Sequence, residues 1–268
     1  MLQNLKIGSY LNAFRRVGDE TADFTIERLG YAPDVFCLRN YLSISECEEI
    51  IKDAEESDGG MTQAETVTPD DTTSRKNCKV TWISPKDSRT VSGLVSSTAN
   101  LMLSNSVCSH PSRFVEDLQV LKYGIGGEYV LHHDGECRVA TVIYYINGVG
   151  GTWFPLARTR NDPNDNNSVD PQNKAQAMDL GKNLKPGENG LLVKGNGSGN
   201  GNGSIENEED NQHIARVNRG DAIVFYNYCD DGSARLNWRA LHCGLPTTEE
   251  DGTKWIANHW FSVNDLES

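Results

Sequence analysis

The stretch YVLHHDGECRVATVIYYING, residues 129–148, places two histidines and an aspartate directly before a strongly apolar run. The run is rich in β-branched and aromatic residues, which favours a buried strand. Side chains two positions apart on a strand share a face, so His132 and Asp134 can point at one ion while His133 points away. A solvent-exposed turn explains an isolated His-x-Asp equally well, so the choice depends on the rest of the chain.

The composition indicates a globular protein whose partners are neither nucleic acids nor membranes. Of the 268 residues, 37% are hydrophobic and 24% are charged, which is ordinary for a folded chain. The formal net charge of −13 would repel nucleic acids and anionic membrane surfaces. No apolar run has the length that a bilayer requires, and we therefore predict no membrane span.

The cysteines and the N-terminal sequence indicate the cellular compartment. Seven scattered cysteines without a Cys-x-x-Cys pair indicate neither a zinc knuckle nor a disulfide framework, so buried thiols are expected. The N-terminus lacks the apolar core of a secretory signal. The sequence as written predicts a cytoplasmic protein, or one of the endoplasmic reticulum lumen if a signal was trimmed. The oligomeric state is left open.

Secondary-structure signals change along the chain from helix-rich to strand-rich. Ser43 and Glu46 form a capping-box pattern ahead of one helix, and a second helical pattern runs from about Asp87 to Asn105. Short strands are predicted at residues 24–29 and 35–38, and further strands recur from Val115 onward. The order predicts one α+β domain over residues 1–268, with a helical N-terminal part at about 1–114 and a mainly antiparallel sheet or barrel at about 115–263.

Two polar segments interrupt these patterns. Residues 59–77 are polar and contain glycine, which predicts a surface loop. Residues 158–212 are rich in Asn, Asp and Gly, and the part KGNGSGNGNGSIENEEDNQ is too polar to bury a core, which predicts disorder there. We interpret 158–212 as a low-complexity insertion into the domain, because strand-like sequence resumes at His213.

A third metal ligand is available late in the chain. His242 lies in the apolar strand-like segment WRALHCGLP. Few of the other histidines in the sequence have such apolar neighbours. Two imidazoles and one carboxylate on one face of an octahedron form the facial triad of non-heme Fe(II) oxygenases. That arrangement leaves three coordination positions open.

Lys254 adds a charge to the same region. It begins the segment KWIANHWFSV, in which Lys254, Ile256, Asn258 and Trp260 alternate onto one face. A lysine buried among apolar residues is costly unless an anion meets it. By position alone, an exposed lysine at the end of a strand remains an alternative.

The whole set resembles the prolyl 4-hydroxylase branch of the 2-oxoglutarate/Fe(II) dioxygenases. Six segments between Val35 and Val263 occur in the order of that family: LQVLKYGIGGEYVLHHD, RVATVIYYIN, GGTWFP, RGDAIVFYNYCDDG, ALHCG and KWIANHW. The resemblance implies a double-stranded β-helix, or jelly-roll, core with the N-terminal helices packed on one sheet. It also implies that His132, Asp134 and His242 bind iron and that Lys254 pairs with the distal carboxylate of 2-oxoglutarate.

The resemblance implies further roles around these four catalytic residues. Tyr123 corresponds to a tyrosine at the mouth of the site, and Tyr145 could donate a hydrogen bond to the carboxylate that Lys254 meets. Thr141 shares the face of Tyr145 and is predicted with it to bind the cosubstrate. Arg138 corresponds to a substrate-side arginine, and Trp260 is assigned to the substrate as well. Ordinary packing of aromatic residues in the core would account for the tyrosines equally well.

The predicted activity is hydroxylation of an unactivated C–H bond with Fe(II), 2-oxoglutarate and O2, supported by ascorbate. A proline-containing peptide or protein is the leading substrate, as for a procollagen-proline 4-dioxygenase. Alternatives are an oxygen-sensing or ribosomal-type protein substrate, a free amino acid, or an inactive jelly-roll binding module. A zinc hydrolase is a weaker alternative, because no glutamate is evidently placed as a general base.

The sequence departs from the family pattern at three places. Gly151 stands where the family has an acidic residue, and Ser262 stands where it often has a histidine. Cys243 directly follows His242, whereas relatives in the secretory pathway carry the cysteine next to the proline. The family disulfide is therefore not carried over, and the substrate remains less defined than the metal site.

Overall fold

A computed structural model describes residues 5–17, 20–64, 74–102, 115–135, 137–159, 170–197, 213–229, 231 and 233–262. The described helices are α1 (Ile44–Glu56), α2 (Arg89–Met102) and α3 (Lys174–Gly181), and a 3₁₀ turn spans Trp238–Ala240. The described strands are β1 (Tyr10–Val17), β2 (Glu20–Tyr31), β3 (Asp34–Arg39), β4 (Thr62–Gln63), β5 (Arg75–Ile83), β6 (Leu118–His132), β7 (Arg138–Tyr145), β8 (Gly151–Phe154), β9 (Leu191–Gly195), β10 (Ile214–Val217), β11 (Ala222–Tyr226), β12 (His242–Gly244) and β13 (Lys254–Ser262).

The strands form two layers that face each other. The first layer runs β1-β2-β3-β11-β7-β13-β6-β5, and the second runs from the end of β6 through β12, β8 and β9 to β10. Inward side chains of both layers, among them Ile143, Phe225, Phe154 and Val193, form one buried cluster. This is the double-stranded β-helix that the resemblance implied, so the predicted fold class is confirmed.

The two longer helices cover the outer face of the first layer. Because side chains alternate across a strand, Val142 and Tyr144 of β7 point away from the second layer. They pack in a cluster with Ile50 of α1 and Leu94 of α2. Helix α1 begins with the predicted capping box, in which Ser43 and Glu46 bond reciprocally to each other's backbone N–H groups. The two predicted helices and their position on one sheet are as expected.

The N-terminal part contains more sheet than its helical patterns predicted. The strands β1 to β5 all lie before residue 114, and the last of them begins inside the predicted loop 59–77, of which residues 65–73 lie outside the described residues. In β1 the inward position Arg15 breaks the apolar alternation that marks a strand. Its guanidinium donates to Glu46 of α1 and to the Tyr41 carbonyl, which makes a charged residue tolerable there.

We expect Glu46→Ala to destabilise the fold by about 3–5 kcal/mol, because it leaves the Arg15 charge buried without its carboxylate and removes half of the capping box. The two side chains are only 4% and 10% exposed. Urea unfolding measures the effect. The matched control is Glu48→Ala on the same helix, where a 66% exposed carboxylate pairs with Arg219 and the expected cost is below about 1 kcal/mol. Equal midpoints for both variants would contradict this expectation.

Part of the predicted insertion is folded. Residues 160–169 and 198–212 lie outside the described residues, but residues 170–197 contain α3 and β9, and β9 pairs with β8 and β10. Ala177 and Met178 of α3 pack with Leu131 and Leu241 in a separate small cluster. The insertion therefore contributes a strand to the second layer and a helix behind the residues that precede the two predicted histidine ligands.

Strand β6 connects the layers and positions the site. Its first half pairs with β13, with Tyr123 opposite Lys254, and its second half pairs with β12, with His132 opposite His242. The glycines between these halves let the strand change layers. At Gly127 a Cβ atom would lie 2.6 Å from the Gly124 carbonyl oxygen, so a side chain does not fit. Within the described residues, no helix is both long and apolar enough to span a membrane.

Candidate metal centre and cosubstrate pocket

The pairing of β6 with β12 brings the first and third predicted ligands together. His132 and His242 are directly opposite in the antiparallel register, although 110 positions separate them in sequence. Their ring centroids are 4.2 Å apart. Asp134 follows the end of β6, and the three side chains form the one group of potential metal ligands found among the described residues.

Backbone carbonyl groups fix the orientation of both imidazole rings. Nδ1 of His132 lies 2.8 Å from the Val130 oxygen, and Nδ1 of His242 lies 2.9 Å from the Ala240 oxygen. Each Nδ1 therefore carries the proton and donates it to a carbonyl group. Each Nε2 keeps a lone pair that is directed toward the site, which is the tautomer that a metal-binding histidine needs.

The Asp134 carboxylate lies close to both imidazole rings. Oδ1 of Asp134 lies 3.4 Å from Nε2 of His132 and 3.9 Å from Nε2 of His242. The ligand atoms of all three residues lie within 4.8 Å of one another. Metal–ligand bonds of about 2 Å require donors that are only a few ångströms apart, and these distances meet that condition.

The pKa shifts of His242 and Asp134 favour the protonation states that bind a cation. Burial lowers the pKa of His242 to about 3, and the neighbouring His132 adds to this effect, so His242 is neutral at physiological pH. Burial alone would raise the pKa of Asp134, but His242, His132 and a hydrogen bond from Thr141 hold it well below its usual range. An ionised carboxylate and a neutral imidazole bind a metal without first losing a proton.

The donor set fits Fe(II). Two imidazole nitrogens and one carboxylate oxygen on one side of a cation are the ligands of non-heme iron oxygenases, and they leave the opposite side open. The three donors line a pocket together with residues of β6, β7, β8, β12 and β13, namely Tyr123, Tyr129, Thr141, Ile143, Thr152, Gly244, Lys254, Ile256 and Asn258.

Lys254 places a positive charge in this pocket. The residue is 1% exposed, and its ammonium group donates one hydrogen bond, 3.2 Å long, to the Gly151 carbonyl oxygen. No carboxylate of the described residues pairs with it. Burial lowers its pKa to about 8, because the charged form has lost its hydration. A buried ammonium group with unused donors fits the carboxylate of a cosubstrate such as 2-oxoglutarate.

Gly150 makes room for the lysine side chain. Its φ of +88° is a conformation that favours glycine, and a Cβ atom there would lie 2.4 Å from Cδ of Lys254. The clash involves the middle of the side chain, which is held at both ends. A substitution at this position must therefore displace the ammonium group.

We expect Gly150→Ala to weaken 2-oxoglutarate binding by about tenfold or more, since a displacement worth about 1.4 kcal/mol is a factor of ten. Isothermal titration with 2-oxoglutarate measures this, and metal affinity is expected to stay unchanged. The matched control is Gly252→Ala. Gly252 has a φ of +68°, but a Cβ atom added there would meet no other atom within 4 Å, so this variant reports backbone strain alone. The expectation fails if the two variants bind 2-oxoglutarate equally.

Not all of the other predicted cosubstrate residues line the pocket. Tyr123 lines the pocket, and its ring centroid lies 5.2 Å from the Lys254 ammonium. Tyr145 is not among the lining residues, because its hydroxyl donates to Thr152 over 2.9 Å and lies in the core between the layers. Thr141 lines the pocket, but its hydroxyl donates to Asp134. Thr152 therefore lines the pocket in place of Tyr145.

The two predicted substrate residues form a pair beside the pocket. The Arg138 guanidinium carbon lies 3.7 Å from the centre of a Trp260 ring, and two hydrogen bonds of 2.7 and 2.8 Å join the guanidinium to Glu116. Trp82 adds a tilted ring contact with Trp260 at 5.7 Å and is 46% exposed. Neither Arg138 nor Trp260 belongs to the pocket lining.

Tyr129 is a lining residue that strand alternation does not predict. It is three positions before His132, which would place the two on opposite faces of a regular strand. A register shift between His242 and Gly244 brings them to the same side, and their rings stack with centroids 3.6 Å apart. Asn258 also lines the pocket, and the sequence predicted it on the alternating face that begins at Lys254.

Comparison with known proteins agrees with this site. The model of the 2OG-Fe(II) oxygenase superfamily matches residues 118–262, just over half of the chain. Prolyl 4-hydroxylase 5 of Arabidopsis thaliana is 27% identical over 273 residues, which cover 93% of this chain and 76% of that protein. The transmembrane prolyl 4-hydroxylase of Mus musculus is 29% identical over 182 residues, and the match spans 56% of this chain and 30% of that protein.

A solved structure of similar outline is the viral collagen prolyl hydroxylase of Paramecium Bursaria Chlorella virus-1 in complex with 2OG. Its TM-score is 0.49 at 21% identity, with 84% of this chain and 94% of that chain covered. The family match spans every strand from β6 to β13 and includes the three donor residues and Lys254. The chain belongs to the 2OG-Fe(II) oxygenase superfamily.

Proposed function

We propose that this chain is an Fe(II)- and 2-oxoglutarate-dependent dioxygenase that hydroxylates an unactivated C–H bond in a prolyl residue of a peptide or protein. One observation carries the proposal: three metal donors and a buried lysine without a carboxylate partner among the described residues line the same pocket. The reaction consumes dioxygen and 2-oxoglutarate, and it delivers one oxygen atom to the substrate and the other to succinate, with release of carbon dioxide.

The residues of the pocket have separate roles in the proposed reaction. His132, Asp134 and His242 would hold Fe(II), which supplies the oxidising chemistry when it is bound with 2-oxoglutarate. Lys254 binds and orients the distal carboxylate of the cosubstrate from the far side of the pocket. Ile143 and Ile256 line the pocket wall and limit the access of water to it. The carboxylate of Asp134 also favours hydroxylation over halogenation, because it fills the position that a halide would need.

Unsatisfied polar atoms lie on one side chain that lines the pocket and on two that do not. Trp260 Nε1, Asn258 Oδ1 and Arg75 Nε are buried and have no hydrogen-bond partner among the described residues. Gln119 links two of these side chains, because its Oε1 accepts from Arg75 and from Asn258, at 3.4 Å each. Buried polar groups are almost always paired in folded proteins. Peptide amides supply both donors and acceptors, and they would pair with these atoms if the side chains move when the substrate binds.

Aromatic rings in and beside the pocket support proline within that peptide. Trp260 and the half-exposed Trp82 contact each other, and Arg75 lies 4.1 Å from the centre of the Tyr129 ring. Proline-rich segments bind aromatic-lined grooves because their extended conformation is already formed. The names of the similar proteins, which are prolyl 4-hydroxylases of plants and mammals, favour the same substrate.

The test is an assay with Fe(II), 2-oxoglutarate, ascorbate and a library of proline-containing peptides, read out by succinate release and by the mass of the peptides. The expected result is iron-dependent succinate together with a mass gain of one oxygen atom on proline. Free amino acids and proline-free peptides are the comparison substrates. Oxygen gain on a free amino acid, or on a residue other than proline, would refute the substrate. Absence of iron-dependent succinate with every substrate would refute the enzyme and favour a binding module.

A further inference from the structure

A buried polar chain leads away from the metal donors through the first layer. The Thr141 hydroxyl on β7 donates to Oδ2 of Asp134. The side-chain amide of Asn227, directly after β11, donates to the Thr141 oxygen over 3.1 Å. Thr141 is 1% exposed and Asn227 is fully buried. Water therefore does not compete for these bonds.

The direction of the bonds is fixed by the number of protons. A threonine hydroxyl has one proton and two lone pairs. The ionised Asp134 carboxylate can only accept, so the hydroxyl proton of Thr141 goes to it, and a lone pair of the Thr141 oxygen accepts from the Asn227 amide. Asn227 thereby orients the hydroxyl of Thr141, and Thr141 orients the carboxylate.

The backbone of Asn227 is anchored near both arms of the site. Its N–H donates to the Val139 oxygen over 2.9 Å, at the start of β7. Its carbonyl accepts from the Asn237 N–H over 2.8 Å, just before the 3₁₀ turn that leads to His242. The chain of bonds therefore begins at a residue whose main chain is fixed in the fold.

The two oxygens of Asp134 have different surroundings. Oδ1 faces the Nε2 atoms of both histidines, whereas Oδ2 receives the Thr141 proton. A carboxylate that binds through both oxygens would occupy a further coordination position, and a facial triad needs three open positions for cosubstrate and dioxygen. The hydrogen bond from Thr141 would favour binding of a metal through Oδ1 alone, because it uses one lone pair of Oδ2.

We propose that Thr141 and Asn227 are positioning residues that hold Asp134 as a ligand through one oxygen. This inference rests on the proposed function, because it concerns the same metal. It also changes the role predicted for Thr141 from the sequence, since the hydroxyl serves the metal ligand and not 2-oxoglutarate. Partners of this kind, which hydrogen-bond to a metal ligand, typically contribute about 10–100-fold to metal affinity.

The test measures Mn(II) and Co(II) affinity of the isolated protein without 2-oxoglutarate, together with the visible spectrum of the Co(II) form. Thr141→Val, which keeps the shape and removes the hydroxyl, is expected to weaken Mn(II) binding by about 10–100-fold and to change the Co(II) spectrum. Thr141→Ser keeps the hydroxyl and is expected to restore both. Equal affinities and spectra for the valine variant and the unmodified protein would overturn the inference.

Asn227→Leu provides a second measurement that does not need the valine variant, because it is expected to bind Mn(II) more weakly than the unmodified protein, and equal affinities would overturn the inference. It is expected to weaken Mn(II) binding less than Thr141→Val, and the double variant is expected to bind no more weakly than Thr141→Val alone, because Asn227 acts through Thr141. Additive losses would overturn the relay. Failure of the proposed function looks different: the unmodified protein would then bind Mn(II) no more tightly than His242→Ala does.

Discussion

Lys254→Met is expected to weaken 2-oxoglutarate binding by roughly 30-fold to several thousand-fold, because truncation of one partner of a buried charge pair costs about 2–5 kcal/mol. The same substitution is expected to stabilise the protein without cosubstrate. The ammonium group is 1% exposed and has no carboxylate partner among the described residues. Burial lowers its pKa from the ordinary lysine value of 10.5 to about 8, so the free protein carries an unfavourable charge.

The size of the stabilisation follows from that pKa. A difference of one pKa unit is worth about 1.4 kcal/mol, so removal of the charge is expected to add up to about 3 kcal/mol at neutral pH. Thermal unfolding of the free protein measures the gain, and titration calorimetry measures the loss of binding. A lysine that only supported the fold would give the opposite result for stability, namely a lower midpoint.

The same group determines how binding depends on pH. Below about pH 8 Lys254 is protonated in the free protein and meets the carboxylate directly. Above that pH the free protein holds a neutral amine and must take up a proton on binding. The affinity for 2-oxoglutarate is therefore expected to be constant below about pH 8 and to fall by about tenfold per pH unit above it.

Lys122→Met is the matched control for these measurements. Lys122 lies on the neighbouring strand β6, opposite Trp255, and pairs with Glu55 at the surface. Its loss is expected to leave 2-oxoglutarate affinity and its pH dependence unchanged. If Lys254→Met kept the pH dependence of the unmodified protein, another group would be responsible for it.

The sequence predicted the metal donors because each is defined by local features. His132 lies at the end of a strand with Asp134 two positions later, and His242 is a histidine within an apolar strand. The register that joins them over 110 positions follows from the order of the strands in the fold, and the family resemblance supplied that order. Lys254 was identifiable for a similar reason, as a charge at the start of a buried strand.

The residues that the sequence did not predict depend on irregular backbone or on long-range packing. Tyr129 reaches the pocket because a register shift reverses its face relative to regular alternation. Gly150 has a role only because the Lys254 side chain passes over it. Asn227 carried no signal, since a buried amide acts through a threonine from a different strand.

The folded part of the insertion was missed for a different reason. Helix α3 is short and its apolar residues are few, so its sequence alone carries a weak helical signal. It is held by contacts with residues far away in sequence: at Gly181 a Cβ atom would lie 3.3 Å from Leu131 and 3.8 Å from Leu241. Each of these leucines directly precedes a histidine donor. The helix therefore supports the backbone of the site from behind.

His132→Ala is expected to reduce turnover by about 10³-fold or more, because it removes one of three donors and with it several kcal/mol of transition-state stabilisation from the metal. Mn(II) titration and succinate release measure the loss. His133→Ala is the matched control, since the two histidines are adjacent. The ring of His133 donates to the Asn237 carbonyl oxygen and accepts from the Gly135 N–H, at 3.1 Å each, on the side away from the donors.

The contrast between these variants tests the register of β6 itself. Loss of His133 is expected to lower the unfolding midpoint and to weaken Mn(II) binding by no more than about tenfold, because its hydrogen bonds support the loop that carries Asp134. A slip of one residue in the pairing of β6 with β12 would exchange the two faces and bring His133 to the metal. The order of the two effects would then be reversed, and the site would have to be rebuilt around His133.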